Sequence, residues 1–575
     1  MQKKWIFCEN NNNEDVKRLA KKLNAPKIVA NLLLNKGLHN SKEITQFFYP
    51  CINDLHDPYL FPDMEKAVYR VKKAIKNGER ITIYGDYDVD GTTSIAILYL
   101  GLIEIIKKNK SSALIDYYIP NRMVDGYGLS QTGVEQLKKL NTNLVITVDC
   151  GINAIKEIDS INSSGMDVIV TDHHTPKEHI PNAFAVINPK LHNSTYPYKY
   201  LAGVGTAYKL LMAIYNEFGM DDEMNIMKYL DFVSMGTISD IVPLTGENRI
   251  LASLGLKRLE KQANYGLSAL MKLSGLNKQS IKSTDIVFKL APRINAAGRM
   301  GSALRAVELM ISNNEAQADR IAKIIYDENE KRKLIDQTTF IEACEMIEAK
   351  YQNLDDVYFI VISSENWHPG VIGIVASKIV EKYHRPTIMI SFSEGEGNGS
   401  GRSIRNFDIF SALLQCENLL SSFGGHKYAA GISILPEYVE QLEEMLNQIA
   451  KEQLTKEDLL LQIKISAKLD LSEIDKDLIQ WLKLFAPFGP QNMRPVFWSE
   501  KVMVVGYPYI VGNNHLKLKV MKNGNILETI GFNLGDYRDF ISKGDIVNIA
   551  YTLEENTWMD KVTIQGNLKD IKLAN

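Results

Sequence analysis

The stretch YGDYDVDG, residues 84–91, places three aspartates directly after a short apolar run. The same construction recurs at TVDCG (147–151) and at TDHH (171–174). The apolar runs are rich in β-branched residues, as fully buried parallel strands are, and occupy residues 81–83, 144–148 and 168–170. Because the C-terminal ends of parallel strands meet at one crevice, the three stretches predict an α/β fold with its ligand site at that edge of the sheet.

The acidic side chains at this edge favour a metal site. An extended Asp86-x-Asp88-x-Asp90 would send its three carboxylates to one side, and Gly91 would let the chain turn into a helix. Carboxylates brought this close repel each other unless cations compensate them. We expect at least two of the three to be ligands of Mg²⁺ or Mn²⁺; one could instead be structural, with Asp90 capping a helix or Asp86 forming a turn.

Further motifs follow in a fixed order along almost the whole chain, and together they carry a family resemblance. They are Asp149, Asp172-His173-His174, Asp240 in GTISDIVPL (236–244), PRINAAGRMG (292–301), WHPGVIGIVASK (367–378), GSGRS (399–403) and GGHKYAAG (424–431). With the first aspartate triplet, this set resembles the DHH phosphoesterase family and, within it, the RecJ-type single-strand-specific exonucleases. A DHH tripeptide alone would be weak evidence, but the ordered set is specific.

The resemblance implies a parallel-sheet DHH catalytic domain, joined by a long helix to a second α/β domain called DHHA1, and a C-terminal OB-like β-barrel. Alternating apolar and polar residues in the C-terminal part are typical of antiparallel strands. The predicted boundaries are 1–55 for an N-terminal helical lead-in, 56–312 for the DHH domain, 313–352 for the connecting helix, 353–452 for DHHA1 and 453–575 for the barrel. The charged EKRK at 330–333 is interpreted as a solvated face of the connecting helix.

The resemblance also implies the metal site. The expected ligands of two Mn²⁺ or Mg²⁺ ions are Asp86, Asp88, Asp90, Asp149, His173 and Asp240. Two further residues are expected to act in catalysis. Asp172 could be a metal ligand, but we favour a role in fixing an imidazole tautomer, and His174 would contact the scissile phosphate or stabilise its charge. The glycine-rich LAGVGTAYKLL (201–211) is interpreted as a helix start that serves packing, since GxG alone is a weak phosphate-binding signal.

Members of this family degrade single-stranded DNA from its 5′ end to mononucleotides during DNA repair and recombination. The resemblance assigns Arg122, Ser400 and Arg402 to the terminal phosphate, Arg293, Asn295 and Arg299 to the strand backbone, and His426 to the cleft; Tyr127 is expected to stack on a base. A narrow channel between the two α/β domains would explain why duplex is excluded. A helicase and a single-strand-binding protein are implied as partners, and the oligomeric state is left open.

Composition limits the remaining classes of protein. The 575 residues carry a formal net charge of −3 and 45% hydrophobic residues, so nucleic-acid binding requires a local basic groove. Five scattered cysteines without CxxC spacing favour a reducing compartment. The N-terminus turns polar before a signal-peptide core could form, and the longest apolar stretch, 94–106, is too short for a bilayer. We therefore expect a cytoplasmic protein without a membrane segment.

Three alternatives remain open at this point. Small DHH/DHHA1 proteins hydrolyse short oligoribonucleotides, cyclic dinucleotides or pAp, but they generally lack the N-terminal region and the barrel. An inorganic polyphosphatase or pyrophosphatase would carry a histidine where Tyr84 stands. A catalytically inactive strand-binding scaffold would have lost metal ligands, whereas every acid of the motifs is present here.

Overall fold

The computed structural model describes residues 3–9, 11–121, 125–276, 279–393, 395–558 and 561–574. The described part contains four β-sheets. Two of them are the five-stranded sheets of the α/β domains, one is the C-terminal barrel, and one is a two-stranded sheet that joins the two ends of the chain. The α/β fold with a C-terminal barrel is therefore confirmed.

The N-terminal region is built mainly of helices, as expected, but it begins with a strand. Its elements are β1 (Lys4–Phe7), α1 (Asn13–Leu23), α2 (Lys27–Leu34) and α3 (Ser41–Phe48). Strand β1 pairs in parallel with β12 (Gln462–Ile465), and the buried faces of the helices share one hydrophobic core with the C-terminal barrel. No local sequence pattern indicates this pairing, by which the N-terminal region packs against the C-terminal part of the chain.

The catalytic region contains a five-stranded, fully parallel sheet in the order β3-β2-β4-β5-β6. Its strands are β2 (Arg80–Gly85), β3 (Leu114–Tyr118), β4 (Leu144–Val148), β5 (Asp167–Thr171) and β6 (Ala185–Ile187). Its helices are α4 (Met64–Asn77), α5 (Val89–Lys108), α6 (Gln131–Lys139), α7 (Ile155–Ser163), α8 (Gly203–Glu217), α9 (Glu223–Met227), α10 (Leu230–Ser239), α11 (Gly246–Gln262), α12 (Tyr265–Leu273), α13 (Ser283–Asp285), α14 (Ala291–Met300) and α15 (Leu304–Met310). The three apolar runs predicted as strands lie in β2, β4 and β5.

Helix α5 is the central helix of this domain. Among the described helices it is the one with the length and apolar composition of a membrane span, yet 72% of its most apolar window is buried inside the protein. It packs against α8 and α10 and against the sheet. Its hydrophobicity is that of a core helix.

A 36-residue helix, α16 (Glu315–Lys350), leads from the catalytic domain to the second α/β domain. The elements that follow are β7 (Ile360–Ser364), α17 (Pro369–Tyr383), β8 (Thr387–Ser393), β9 (Glu396–Arg402), α18 (Ile409–Gln415), β10 (Ser422–His426), β11 (Ala429–Ile434) and α19 (Val439–Gln453). The prediction of a solvated face at 330–333 is wrong for Arg332, which is buried and donates to Asn329 Oδ1 at 2.8 Å. Lys331 and Lys333 are exposed, as predicted.

The C-terminal part is a closed barrel. Its elements are β12, β13 (Ala467–Lys468), α20 (Lys476–Leu484), β14 (Phe497–Val511), β15 (His515–Lys522), β16 (Asn525–Gly531), β17 (Ile546–Trp558) and β18 (Lys561–Leu573). The order β14-β15-β16-β18-β17 closes because β17 also pairs with β14. Closure leaves no open edge among these five strands.

Arg249 of α11 joins the catalytic domain to both ends of the chain. Its buried guanidinium donates to the carbonyl of Phe47 at 2.8 Å and to the carbonyls of residues 484–487 at 2.8–3.4 Å. Burial lowers the pKa of Arg249 to about 9. The carbonyl acceptors come from α3 and from the segment after α20, so a single side chain satisfies backbone groups of two separate regions.

Replacing Arg249 with methionine is expected to lower the free energy of unfolding of this junction by about 3 kcal/mol, because several buried carbonyls would lose their donor. Faster amide hydrogen exchange of residues 47 and 484–486 should report the weakened junction. Arg405, which is exposed, provides the matched control as Arg405→Met. Equal protection in both variants would contradict a stabilising role for Arg249.

Candidate metal and phosphoryl-transfer site

The turn between β2 and α5 carries the first three aspartates. Asp88 is the N-cap of α5: its Oδ1 accepts from the backbone N–H of Asp90 at 2.8 Å and of Gly91 at 3.1 Å. The helix-capping role considered for Asp90 therefore belongs to Asp88. Gly91 is required here, because a Cβ at this position would lie 2.5 Å from the carbonyl oxygen of Asp86.

Asp90 is almost fully buried and is held by the start of another helix. Its carboxylate accepts from the backbone N–H of Gly203 at 2.6 Å and of Val204 at 2.9 Å, at the N-terminus of α8. Burial and the charge of Asp88 raise the pKa of Asp90 to about 7, although these two amides oppose the shift. The glycine-rich start of α8 thus serves the acidic site as well as packing, a role that the sequence analysis missed.

His173 faces three carboxylates that come from three different elements. Its Nε2 lies 3.2 Å from Asp149 Oδ1, 3.6 Å from Asp240 Oδ2 and 4.0 Å from Asp90 Oδ2. Burial and the neighbouring His174 lower the pKa of His173 to about 3, so its imidazole is neutral and retains a lone pair. Asp240 directly follows α10, and Asp149 directly follows β4.

Asp149 lies at the centre of the acidic cluster. Its backbone adopts a left-handed conformation with φ 58°, and a Cβ on Gly203 would come within 2.6 Å of its Oδ1. Burial and the charges of Asp90, Asp88 and Asp240 raise the pKa of Asp149 well above its usual range. Burial and the charges of Asp90 and Asp88 likewise raise the pKa of Asp240. Neither Asp149 Oδ1 nor Asp240 Oδ2 accepts a hydrogen bond, although both atoms are buried.

Asp172 and His174 form a tight pair beside this cluster. Asp172 accepts from His174 Nδ1 at 2.8 Å and from the backbone N–H of Ile152, His173 and His174 at 2.7–3.0 Å. Burial opposes ionisation of Asp172, but its hydrogen bond to His174 and the imidazole charge lower its pKa to about 2. Burial also opposes the imidazolium, but Asp172 raises the pKa of His174.

Tyr127 contacts the same site through its hydroxyl group. The hydroxyl donates to the carbonyl of Asp149 at 2.9 Å and lies 3.1 Å from His174 Nδ1. About half of the side chain is exposed. The tyrosine expected to stack on a base therefore also bonds the backbone of the central aspartate.

The donor atoms converge in three overlapping groups, within each of which they lie within 4.8 Å of one another. The groups are Asp86-Asp88-Asp149, Asp90-His173-Asp240 and Asp149-His173-His174. Oxygen donors with neutral imidazole suit Mg²⁺ or Mn²⁺. The structure thus brings all six predicted ligands together, and Asp149 belongs to both an all-carboxylate group and a histidine-containing group.

The remaining predicted residues lie around α14 and in the second domain. Arg293 is buried, with its guanidinium 5.2 Å from the ring of Tyr326. Asn295 Oδ1 accepts from the backbone N–H of Val89 at 3.2 Å, and Arg299 donates to the carbonyl of Gly370 at 3.2 Å. These contacts attach α14 both to the acidic turn and to α17.

Three of the predicted residues lie on strands of the second domain. On β9, Arg402 donates to Ser400 Oγ at 3.1 Å, and Gly373 of α17 leaves room for both side chains. His426 is exposed at the end of β10. Arg122 lies outside the described residues.

The acidic cluster predicts how the metal-free protein responds to pH. An acid whose pKa is raised by folding holds its proton in the native state after the unfolded state has lost it. For Asp90, the free energy of unfolding therefore falls as pH rises from about 4 to about 7. For Asp149 and Asp240 the fall continues to higher pH. The lowered pKa of His173 opposes this trend at the acidic end of the range, so we expect the fall in the Tm of chelator-treated protein, about 4 °C or more, to be complete only by pH 8. Mn²⁺ should raise the Tm more at pH 8 than at pH 5. An equal rise at both pH values would contradict the link between the raised pKa values of the acids and metal binding.

Comparison with known families accounts for most of the chain. Residues 80–237 match the DHH family, N-terminal domain, residues 356–452 match the DHHA1 domain, and residues 465–570 match the RecJ OB domain. The matched segments contain the parallel sheet, the second α/β domain and the barrel, respectively.

Similar proteins cover nearly the full length. A single-stranded-DNA-specific exonuclease RecJ from Bacillus subtilis (strain 168) is 37% identical over 564 residues, 98% of this chain and 70% of that protein. The exonuclease of the same name from Salmonella typhimurium is 33% identical over 95% of this chain and 96% of that protein. The crystal structure of RecJ from Thermus thermophilus in complex with Mn²⁺ has a TM-score of 0.84 and 26% identity, and covers 100% of this chain and 80% of that one.

Proposed function

Because this chain belongs to the RecJ family of single-stranded-DNA-specific exonucleases, we propose that it hydrolyses single-stranded DNA from the 5′ end to mononucleotides in DNA repair and recombination. The observation that carries the proposal is the convergence of Asp86, Asp90, Asp149 and Asp240 at one edge of the sheet with His173, whose Nε2 lies 3.2 Å from Asp149 Oδ1. Carboxylates this close repel each other unless cations or protons compensate their charge. Because every acid of the motifs is present, the cluster favours an enzyme over a strand-binding scaffold.

The donor set fits two divalent cations, Mn²⁺ or Mg²⁺. Asp149 Oδ1 and Asp240 Oδ2 are buried without hydrogen-bond donors, as atoms that coordinate a cation would be. We assign one site to Asp86, Asp88 and Asp149 and the other to Asp90, His173 and Asp240, with Asp149 placed between them. When bound, two such cations activate a water and neutralise charge at the phosphodiester.

The protein's own groups then orient the phosphodiester. His174, whose charged form Asp172 favours, can donate from Nε2 to a phosphate oxygen while Nδ1 stays bonded to Asp172. Tyr127 fixes the backbone of Asp149 and borders the same space. In this assignment Asp172 is a positioning residue and His174 a catalytic one.

Substrate recognition is assigned to residues of α14 and of the second domain. We propose that Ser400 and Arg402, with Arg122, bind the 5′ phosphate, that Arg293 and Arg299 serve the strand backbone, and that His426 lines the cleft. The side chains of Ser400 and Arg402 are neighbours on β9, so they can present adjacent donors to one phosphate. A channel between the two α/β domains would admit one strand and exclude duplex.

The proposal also includes the location of the enzyme and its protein partners. We place the enzyme in the cytoplasm, which agrees with five free cysteines, of which Cys51 is exposed. A helicase would supply the unpaired strand, and a single-strand-binding protein would keep it open. Pull-down of each candidate by the full chain tests these two partners.

Degradation of 5′-phosphorylated single-stranded DNA and of matched RNA, labelled at the 5′ or the 3′ end, tests the proposed activity with Mn²⁺ or Mg²⁺. We expect immediate release of the 5′ label as mononucleotide from DNA. Activity confined to very short RNA would move the assignment to an oligoribonuclease. Degradation of blunt duplex without a helicase would contradict the channel.

A further inference from the structure

Helix α14 packs directly on the acidic turn between β2 and α5. Asn295 Oδ1 accepts from the backbone N–H of Val89, which lies between Asp88 and Asp90. One turn along the helix, a Cβ on Gly298 would lie 3.3 Å from the carbonyl oxygen of Tyr87. The backbone of the turn is thus contacted by α14 at two points.

The amide of Val89 is one of the first N–H groups of α5, which have no partner within the helix itself. Asp88 accepts the next two, from Asp90 and Gly91, with its own Oδ1. Asn295 therefore completes the cap with an acceptor from a distant part of the chain. The directions of the Asp88 and Asp90 carboxylates depend on this capped backbone.

The last turn of α14 also contacts the second domain. Arg299 donates to the carbonyl of Gly370 in the first turn of α17, and a Cβ on Gly370 would lie 2.8 Å from the carbonyl oxygen of Arg299. Helix α17 in turn packs on β9 next to Ser400. The position of Asn295 is thus determined by a helix whose residues 295–299 contact both the acidic turn and the second domain.

We propose that Asn295 is a positioning residue for the metal site: its amide oxygen holds the 86–90 turn in the conformation that binds cations, instead of its amide nitrogen contacting the DNA backbone. The expected effect on kcat rests on the proposed function, because it assumes that the metals act in hydrolysis. The expected effect on Mn²⁺ binding does not. The two possible roles use opposite ends of the amide group, so chemistry can separate them.

The test compares Asn295→Asp with Asn295→Ala. A carboxylate can still accept from the Val89 amide, whereas it would repel a DNA phosphate. Mn²⁺ binding is measured by electron paramagnetic resonance on the full chain without DNA, and kcat and KM are then measured on 5′-phosphorylated single-stranded DNA. The matched control is Asn314→Ala, which removes a similar asparagine cap from α16, where Asn314 accepts from Gln317 N–H at 2.9 Å.

We expect Asn295→Ala to weaken Mn²⁺ binding about tenfold or more and to lower kcat, as loss of a group that orients metal ligands does. Asn295→Asp should bind Mn²⁺ as tightly as the unsubstituted protein or more tightly, and Asn314→Ala should leave binding unchanged. Unchanged Mn²⁺ binding in the alanine variant would overturn the proposal, as would a raised KM in the aspartate variant. Should the alanine variant not fold, the aspartate variant alone decides by retaining or losing Mn²⁺ binding and kcat.

Failure of this inference is distinguishable from failure of the proposed function. Mn²⁺ binding is measured without nucleic acid, so it reports on the turn even where the unsubstituted protein degrades no DNA. Exonuclease activity with unaltered metal binding in Asn295→Ala would reject only the positioning role.

Discussion

Asp149→Asn is expected to lower the rate of single-stranded-DNA hydrolysis by about 1,000-fold or more, the largest effect of any single substitution in this protein. Asp149 belongs to the site assigned to Asp86, Asp88 and Asp149, and its Oδ1, which has no hydrogen-bond donor, lies 3.2 Å from Nε2 of His173 in the other site. The amide is isosteric, but it carries no charge, and only one of its two terminal atoms is an oxygen that can coordinate a cation. Steady-state hydrolysis of 5′-labelled DNA with Mn²⁺ or Mg²⁺ measures the effect.

The same substitution should make the metal-free protein more stable. The neighbouring carboxylates and burial disfavour a charge at Asp149, so a neutral amide relieves repulsion that the native state otherwise carries. We expect a higher Tm in chelator and a smaller stabilisation by Mn²⁺. Asp159→Asn on the exposed face of α7 serves as the control and should change neither quantity. Lost activity with a lowered Tm would indicate misfolding instead of a lost metal ligand.

Local sequence patterns sufficed to predict the parallel sheet and the grouping of the acids. The β-branched runs in β2, β4 and β5 become buried strands, and parallel strands bring their C-terminal ends to one edge. Asp86, Asp149 and Asp172 follow those ends directly, so their proximity is a consequence of topology. The barrel could likewise be predicted, because its strands alternate apolar and polar residues.

Contacts between distant segments could not be predicted in this way. The Asp90 carboxylate is bound by backbone amides 113 and 114 residues away, and a backbone N–H has no residue-type signature. The glycine at 203 was the one available signal, since any side chain there would meet Asp149. Arg249 is a similar case, because its acceptors are all main-chain carbonyls. The pairing of β1 with β12 joins two four-residue strands that alone resemble loops.

His174 should make the second large contribution to hydrolysis. Its Nδ1 is bonded to Asp172, and we expect its Nε2, which lies 3.3 Å from the Tyr127 hydroxyl, to donate to a phosphate oxygen when substrate is bound. We expect His174→Ala to lower kcat by about 100- to 1,000-fold with a smaller change in KM, because a charged donor to the reacting phosphate is lost. A raised KM with an unchanged kcat would instead indicate that His174 acts in substrate binding.

Asp172→Asn tests the charge relationship between the two residues. With the carboxylate present, the pKa of His174 is raised, so its imidazolium persists to higher pH and is lost as pH rises through that value. The amide keeps the shape but removes the charge, so the alkaline limb of the kcat profile should move to lower pH, and the variant should lose more activity at pH 8 than at pH 6. A pH profile measured from 5 to 9 with saturating Mn²⁺ decides this. An unmoved alkaline limb would show that the group titrating in that limb is not His174, and His174 would then act as a neutral donor.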